Sequence, residues 1–229
     1  MTPYWLLLLL PVIACLRSPR QSWTASLSLL IVLVLTLFIG LRHEVGGDWF
    51  NYLPYLTRAD GVSLSDLLLE NGDPGYNVLN WIFAPYTWGI YGVNLVSGAI
   101  FSTGLVLFCR SQPRPWLALC LAIPYLVIVV AMGYSRQGVA IGLIMPGLLS
   151  LERGHLRSFL ILLAAAASFH STALVMLLFM LPAVPGRSIQ SRVVRLLLLI
   201  VVGAALVQTF LAARVESFIG GYLEVEYES

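Results

Sequence analysis

Seven runs of apolar residues take up most of the chain and decide what it can fold into. They fall at about Tyr4–Leu16, Ser22–Leu41, Tyr91–Cys109, Trp116–Met132, Gln137–Leu151, Ser158–Leu181 and Leu196–Ala212. Most approach the roughly 20 residues that a helix needs to cross a bilayer. No water is present there to satisfy backbone N–H and C=O groups, so a spanning segment closes its own hydrogen bonds, as a helix does. With 59% apolar residues, 10% charged residues and a mean hydropathy of +0.88, the chain departs far from the soluble average of roughly 45–50% apolar and 25% charged. The expected fold is all-α: a polytopic transmembrane helical bundle of about six to seven spans, forming one domain over residues 1–229. The Leu6–Leu10 run has no basic residue before it and no clear small-residue cleavage site after it. It therefore reads as an uncleaved first span and not as a signal peptide.

Charge placement sets the orientation, because arginines in short loops stay on the cytoplasmic side. Arg17 with Arg20, Arg110 with Arg114, and Arg153 with His155 and Arg157 mark three cytoplasmic loops. The long connection over residues 42–74 carries Glu44, Asp48, Asp60, Asp66, Glu70 and Asp73 and belongs outside. Only one crossing then fits between it and Arg110, so Gly75–Gly89, aromatic and interrupted by Pro85, reads as a re-entrant or interfacial helix. Arg187, Arg192 and Arg195 stay inside only if Ser158–Leu181 breaks near Ser168–Ser171 into a hairpin with His170 at its tip. Leu196–Ala212 then crosses outward, and Asp48, Arg136 and His170 share the outer face.

The net charge of +2 comes from 13 basic residues, all arginine, against 11 acidic ones. No basic run or interleaved aromatic patch points to nucleic acid. Cys15, Cys109 and Cys120 show neither CxxC nor Cys/His ligand spacing, so buried free thiols are expected and a metal centre is not.

Two residues break the apolar pattern where a charge or imidazole is least expected. Arg136 lies within Ala118–Leu151 and His170 within Ser158–Leu181. An ionisable group at membrane depth costs about 2.5–3.5 kcal/mol on insertion scales and marks a cavity, a partner or a functional path. The plainer readings are that Arg136 snorkels to the interface and that His170 packs between helices, bonded to Ser171 or Thr172. Asp48, in a Gly-Gly turn before an aromatic run, either acts in a site or caps an interfacial helix. Arg42 and Glu44 read as ordinary interfacial charges.

Four strings occur in order: Gly46-Gly47-Asp48-Trp49-Phe50-Asn51-Tyr52; Asp73-Pro74-Gly75-Tyr76-Asn77-Val78-Leu79-Asn80; Ser135-Arg136-Gln137 with Ala140; and Phe169-His170-Ser171. In order, spacing and membrane context they resemble the EpsG/Wzy-type polysaccharide polymerases, over about Leu41–Pro182. The resemblance implies a bundle similar to GT-C-like membrane glycosyltransferases, in the bacterial inner membrane. It implies an enzyme that joins polyprenyl-diphosphate-linked oligosaccharide repeat units on the outer face, without cofactor or metal. A flippase and a chain-length regulator are implied as partners, alongside membrane lipid. Pro74 departs from the family pattern, and the chain stops after one further span, so a C-terminally shortened member is expected.

The chemistry so implied needs a countercharge for the diphosphate leaving group and a base for the attacking sugar hydroxyl. Arg136 suits the first task with a planar, permanently charged fork. Asp48 suits the second, and His170 can take a proton or donate hydrogen bonds. Trp49, Tyr52, Asp73, Tyr76, Asn80, Tyr134, Gln137 and Ser171 are the expected substrate-binding residues, with Asp73, Tyr76 and Asn80 on one side of a helix lining an acceptor groove. A transporter or flippase for a lipid-linked oligosaccharide, or an accessory subunit, is the alternative: it would need Arg136 but no base.

Overall fold

The computed structural model describes residues 2–17, 22–69, 72–180 and 197. Within them the chain is all-α, with no strand. It divides into two compact units, Met1–Leu174 and Val175–Ser229, of which the first holds α1 to α9. Helix α1 spans Thr2–Arg17 and α2 spans Ala25–Gly40. Thr24 starts α2, its Oγ1 accepting from the Leu27 N–H at 3.2 Å, which satisfies one of the amides that a helix start leaves free. Short helices α3 (Trp49–Ala59) and α4 (Leu64–Leu69) fold the long polar connection, and α5 (Pro74–Phe83) takes up the first part of the aromatic Gly75–Gly89 segment. Then come α6 (Gly89–Ser111), α7 (Pro115–Ala122), α8 (Ser135–Glu152) and α9 (Leu156–Phe169). Helix α7 runs on as a π-helical stretch, Ile123–Ala131, opened by Pro124, which has no N–H to give to the α-helical ladder.

At 23 residues α6 is about 35 Å long, and among the described helices it alone is long and apolar enough to cross a membrane. Thr2–Leu16, Ala25–Gly40, Pro115–Ala131 and Leu156–Phe169 are apolar but shorter. Polar interruptions account for three of these ends: Arg42 follows α2, the non-helical Tyr134 separates the π stretch from α8, and the extended His170 stops α9. The last is the break that the arginine distribution asks for. The chain continues from it as a 3-10 helix over Ser171–Phe179. The remainder of the expected hairpin, the Val184–Arg195 loop and all of Leu196–Ala212 except Leu197 lie outside the described residues.

Helix α6 is sandwiched between α2 and α8, and α8 between α6 and α9. The closest approach is glycine on glycine. A Cβ at Gly104 would collide with the Gly142 carbonyl, and one at Gly142 would sit 2.5 Å from the Phe101 Cα. Small residues that let backbones touch are how helices associate where lipid removes the hydrophobic drive. Side chains facing away from the bundle are apolar, as Leu6, Leu10, Leu30, Leu33 and Ile161 show. The core has two parts. Leu35, Ile39, Phe101, Leu105, Ile123 and Val127 fill the bundle, while Trp49, Tyr52, Tyr76, Leu79, Ile90 and Val93 form an aromatic-rich layer where α3 and α5 lie on α6.

Candidate functional site

One end of the bundle collects the C-terminus of α2, the N-termini of α6 and α8 and the C-terminus of α9. Asn94 of α6 meets both Arg42 and Ser135 of α8. A Cβ on Gly75, in the first turn of α5, would lie 2.6 Å from Ser168 Oγ and 3.0 Å from the Phe169 ring. The start of α5 is thus pressed against the end of α9, bringing Asp73 beside His170.

Arg136, the second residue of α8, reaches across 63 positions to Asp73, with Nη1 donating to Oδ2 at 2.9 Å. The side chains are 30% and 13% exposed, so water still reaches the pair. The guanidinium carbon stands 5.4 Å from the ring centre of Tyr55 and 5.9 Å from that of Tyr52, positions that favour a cation over each π face. Arginine has five N–H donors, and here the Nε donor is buried without an acceptor among the described residues. The fork is held, and it is not saturated. His170 lies in an extended conformation close enough to feel the charges of both Asp73 and Arg136.

Both aspartates of this region occupy helix N-cap positions, and neither caps its helix with its side chain. Asp73 gives its carboxylate to Arg136. Asp48 accepts from Asn51 Nδ2 at 3.2 Å and from the Tyr52 hydroxyl at 3.5 Å. A capping aspartate would take the N2 or N3 amide instead, so the geometry departs from the plainer reading of Asp48. Burial raises the Tyr52 pKa, with Arg136 opposing and Asp48 reinforcing the shift. Burial also raises that of Tyr76. Both phenols therefore stay protonated; Tyr52 donates to Asp48, while the Tyr76 hydroxyl has no partner among the described residues.

The Asp48 turn is tied to the base of Arg136 through glycine. Gly46 has φ +107°, and a Cβ there would run into the Met132 carbonyl. Gly47 faces the Tyr134 hydroxyl, which would stand 3.6 Å from its Cβ. At Gly46 no larger residue lets the turn lie so close to the α7–α8 joint.

Arg42 corrects the sequence reading. It is not an interfacial charge: only 5% of it is exposed. Its Nη1 donates to the carbonyls of Ile39 and Ala131, both at 3.2 Å, and its Nη2 donates to Asn94 Oδ1 at 3.1 Å and Ser135 Oγ at 2.6 Å. Glu44, by contrast, is exposed and 3.9 Å from His43. The signal that could have found Arg42 is Asn94, an amide inside an apolar run that needs a partner.

Trp49, Tyr52, Tyr76 and Asn80 are buried, Tyr76 completely. The expected groove lined by Tyr76 and Asn80 therefore takes a different form, a closed aromatic layer behind Asp73. Gln137 is half-buried, while Tyr134 and Ser171 are exposed. Tyr55, which faces Arg136, was not foreseen; its position three residues after Tyr52 puts both on one helix face. Among the described residues no cluster of acidic, histidine or cysteine side chains could hold a metal ion. No curated protein and no solved structure matches the chain. A family model described as the EpsG family does match, over residues 26–229. That stretch contains every side chain discussed in this section, and the chain therefore belongs to the EpsG family, membrane proteins of polysaccharide biosynthesis.

Proposed function

We propose that the protein is a membrane polysaccharide polymerase that joins polyprenyl-diphosphate-linked oligosaccharide repeat units on the outer face of a bacterial inner membrane. The observation that carries this reading is the Arg136 fork, held by Asp73 at 2.9 Å over two tyrosine rings, its Nε donor without an acceptor among the described residues. A diphosphate offers oxygens that match such a fork bidentately. In the resting protein Asp73 occupies part of it; an arriving diphosphate competes for the same N–H groups and fills the free ones. As the glycosidic bond to phosphate breaks, the leaving diphosphate gains charge, and a preorganised guanidinium offsets that charge. His170, beside Asp73, donates to the same phosphate oxygens. Asp48, not engaged in capping, takes the proton from the attacking sugar hydroxyl, with Tyr134 and Gln137 near the fork as sugar contacts and Ser171 beyond His170. A flippase delivering the substrate and a regulator of chain length complete the setting.

Transport of the same lipid-linked glycan would use Arg136 as well, but needs no base. Asp48→Asn separates the two. It keeps the side-chain shape and is expected to abolish polymer formation by purified protein in proteoliposomes while leaving lipid-linked substrate bound. Undiminished polymer from Asp48→Asn would remove the base from the mechanism.

A further inference from the structure

We propose that Arg42 is the positioning residue of this site: its buried guanidinium clamps the α7–α8 joint and so fixes where Arg136 presents its fork. The proposal rests on the reading of Arg136 as the diphosphate-binding residue.

The joint is the weak point of the chain's geometry. Between Ala131 and Ser135 the helix is interrupted, with Tyr134 at φ −132° and ψ 78°. A hinge there would swing Arg136, which follows directly. Arg42 bonds to both sides of it, to the Ala131 carbonyl before the break and to Ser135 Oγ after it. Its other two bonds anchor the clamp to α2 through Ile39 and to α6 through Asn94. Ser135 Oγ also donates to Asn94 Oδ1 at 3.2 Å, closing a triangle of Arg42, Asn94 and Ser135. The Gly46 turn presses on Met132 from the same segment, so one stretch of chain, residues 39–47, holds the joint by both side chain and backbone.

The charge itself argues for this role. A buried cation loses several kcal/mol of hydration, and none of the four acceptors is acidic. An apolar side chain would fill the space without that cost. What it would not supply is four directed donors radiating from one plane, which only a guanidinium gives.

The test uses purified full-length protein in lipid nanodiscs, with undecaprenyl diphosphate as the probe and binding followed by native mass spectrometry. Arg136→Ala is expected to weaken binding by about tenfold or more, which corresponds to about 1.4 kcal/mol per decade. Arg42→Gln is expected to match it, and the double variant to be no worse than either, because both act through one fork. Arg42→Lys restores the charge without the four directed bonds and is expected to bind as poorly as Arg42→Gln. Wild-type binding by Arg42→Gln or Arg42→Lys, or a double variant whose loss is the product of the two single losses, would overturn the clamp. Where Arg42→Gln gives no folded protein, Ser135→Ala removes the 2.6 Å acceptor together with the Ser135–Asn94 bond, leaves the guanidinium in place, and takes its place in the same cycle. If Arg136→Ala binds the probe normally, the diphosphate reading itself fails. Hydrogen exchange then judges the clamp separately: faster exchange over residues 131–138 in Arg42→Gln upholds it, and unchanged exchange refutes it.

Discussion

Replacing Arg136 with lysine asks whether the site needs a charge or a shape. Lysine keeps a cation that can pair with Asp73 and lie over Tyr52 and Tyr55, whose ring centres are 5.9 and 5.4 Å from the guanidinium carbon. Those π contacts are worth about 0.5–1 kcal/mol each at exposed sites, and lysine retains most of that. If charge were all that mattered, Arg136→Lys would stay within about tenfold of wild type, or about 1.4 kcal/mol. The structure argues otherwise. Nη1 is committed to Asp73 and Nε is buried, so phosphate takes the remaining donors of the planar fork as Asp73 gives way. An ammonium bonded to the same carboxylate has no second donor in that plane. Loss of one preorganised donor at a developing charge costs about 2.7–4 kcal/mol, roughly 100- to 1000-fold in rate. Arg136→Lys should therefore fall near Arg136→Ala. The assay is conversion of short lipid-linked repeat units into long polymer, resolved on gels, with protein amount checked by immunoblot. Near wild-type polymer from Arg136→Lys at normal expression would refute the fork argument and reduce Arg136 to a point charge.

Asp73→Asn removes the competitor for the fork, so undecaprenyl diphosphate should bind several-fold more tightly while polymer formation falls; a nanodisc binding titration showing weaker binding would contradict the exchange of partners. His170→Gln keeps a donor and loses the titratable ring, and is expected to cost about tenfold in polymer formation, the scale of one hydrogen bond. A loss as large as the roughly 100- to 10,000-fold of a general base would reassign proton transfer to it. Gly104→Val forces α6 and α8 apart against the Gly142 carbonyl, and about 1–3 kcal/mol of destabilisation is expected, read as a lowered melting temperature in detergent. An unchanged melt would show that the helices do not meet there in the membrane.

How much of this could be read from the sequence depended on whether the determinant was local. Helix α6, expected over Tyr91–Cys109 and observed over Gly89–Ser111, is set by an unbroken apolar run. The stop at His170 followed from counting arginines on either side, a constraint that acts within about 25 residues. Arg136 and His170 stood out because a polar side chain inside an apolar run conflicts with its surroundings. Arg42 did not stand out. It sits at the end of a run, where a charge is ordinary, and its partners at Asn94, Ala131 and Ser135 are neutral and lie 52, 89 and 93 positions away. The Arg136–Asp73 pair was half legible. Both residues were named, but six acidic residues of the same connection were equally available by sign, and only packing of α5 against α9 selects one. Tyr76 and Asn80 were placed on the right helix with the wrong exposure, because helical periodicity gives a face without saying what covers it.

The glycine contact between α6 and α8 fixes which parts of the molecule can move. Two backbones in direct contact have no side chains to change rotamer, so sliding or tilting at Gly104 and Gly142 meets hard-sphere repulsion at once. Helices α3 and α5 rest on α6 through Tyr52, Tyr76, Leu79 and their neighbours instead, and side-chain interfaces of that kind can reseat. On the proposed function the substrate is a bulky polyprenyl-linked glycan, and admitting one to Arg136 requires displacement somewhere. On that reading the stator is α2–α6–α8, which carries the cationic fork, and the gate is the α5 end of the side-chain-packed layer, which carries Asp73. Opening the gate would withdraw Asp73 from the fork in the same motion that makes room for the diphosphate.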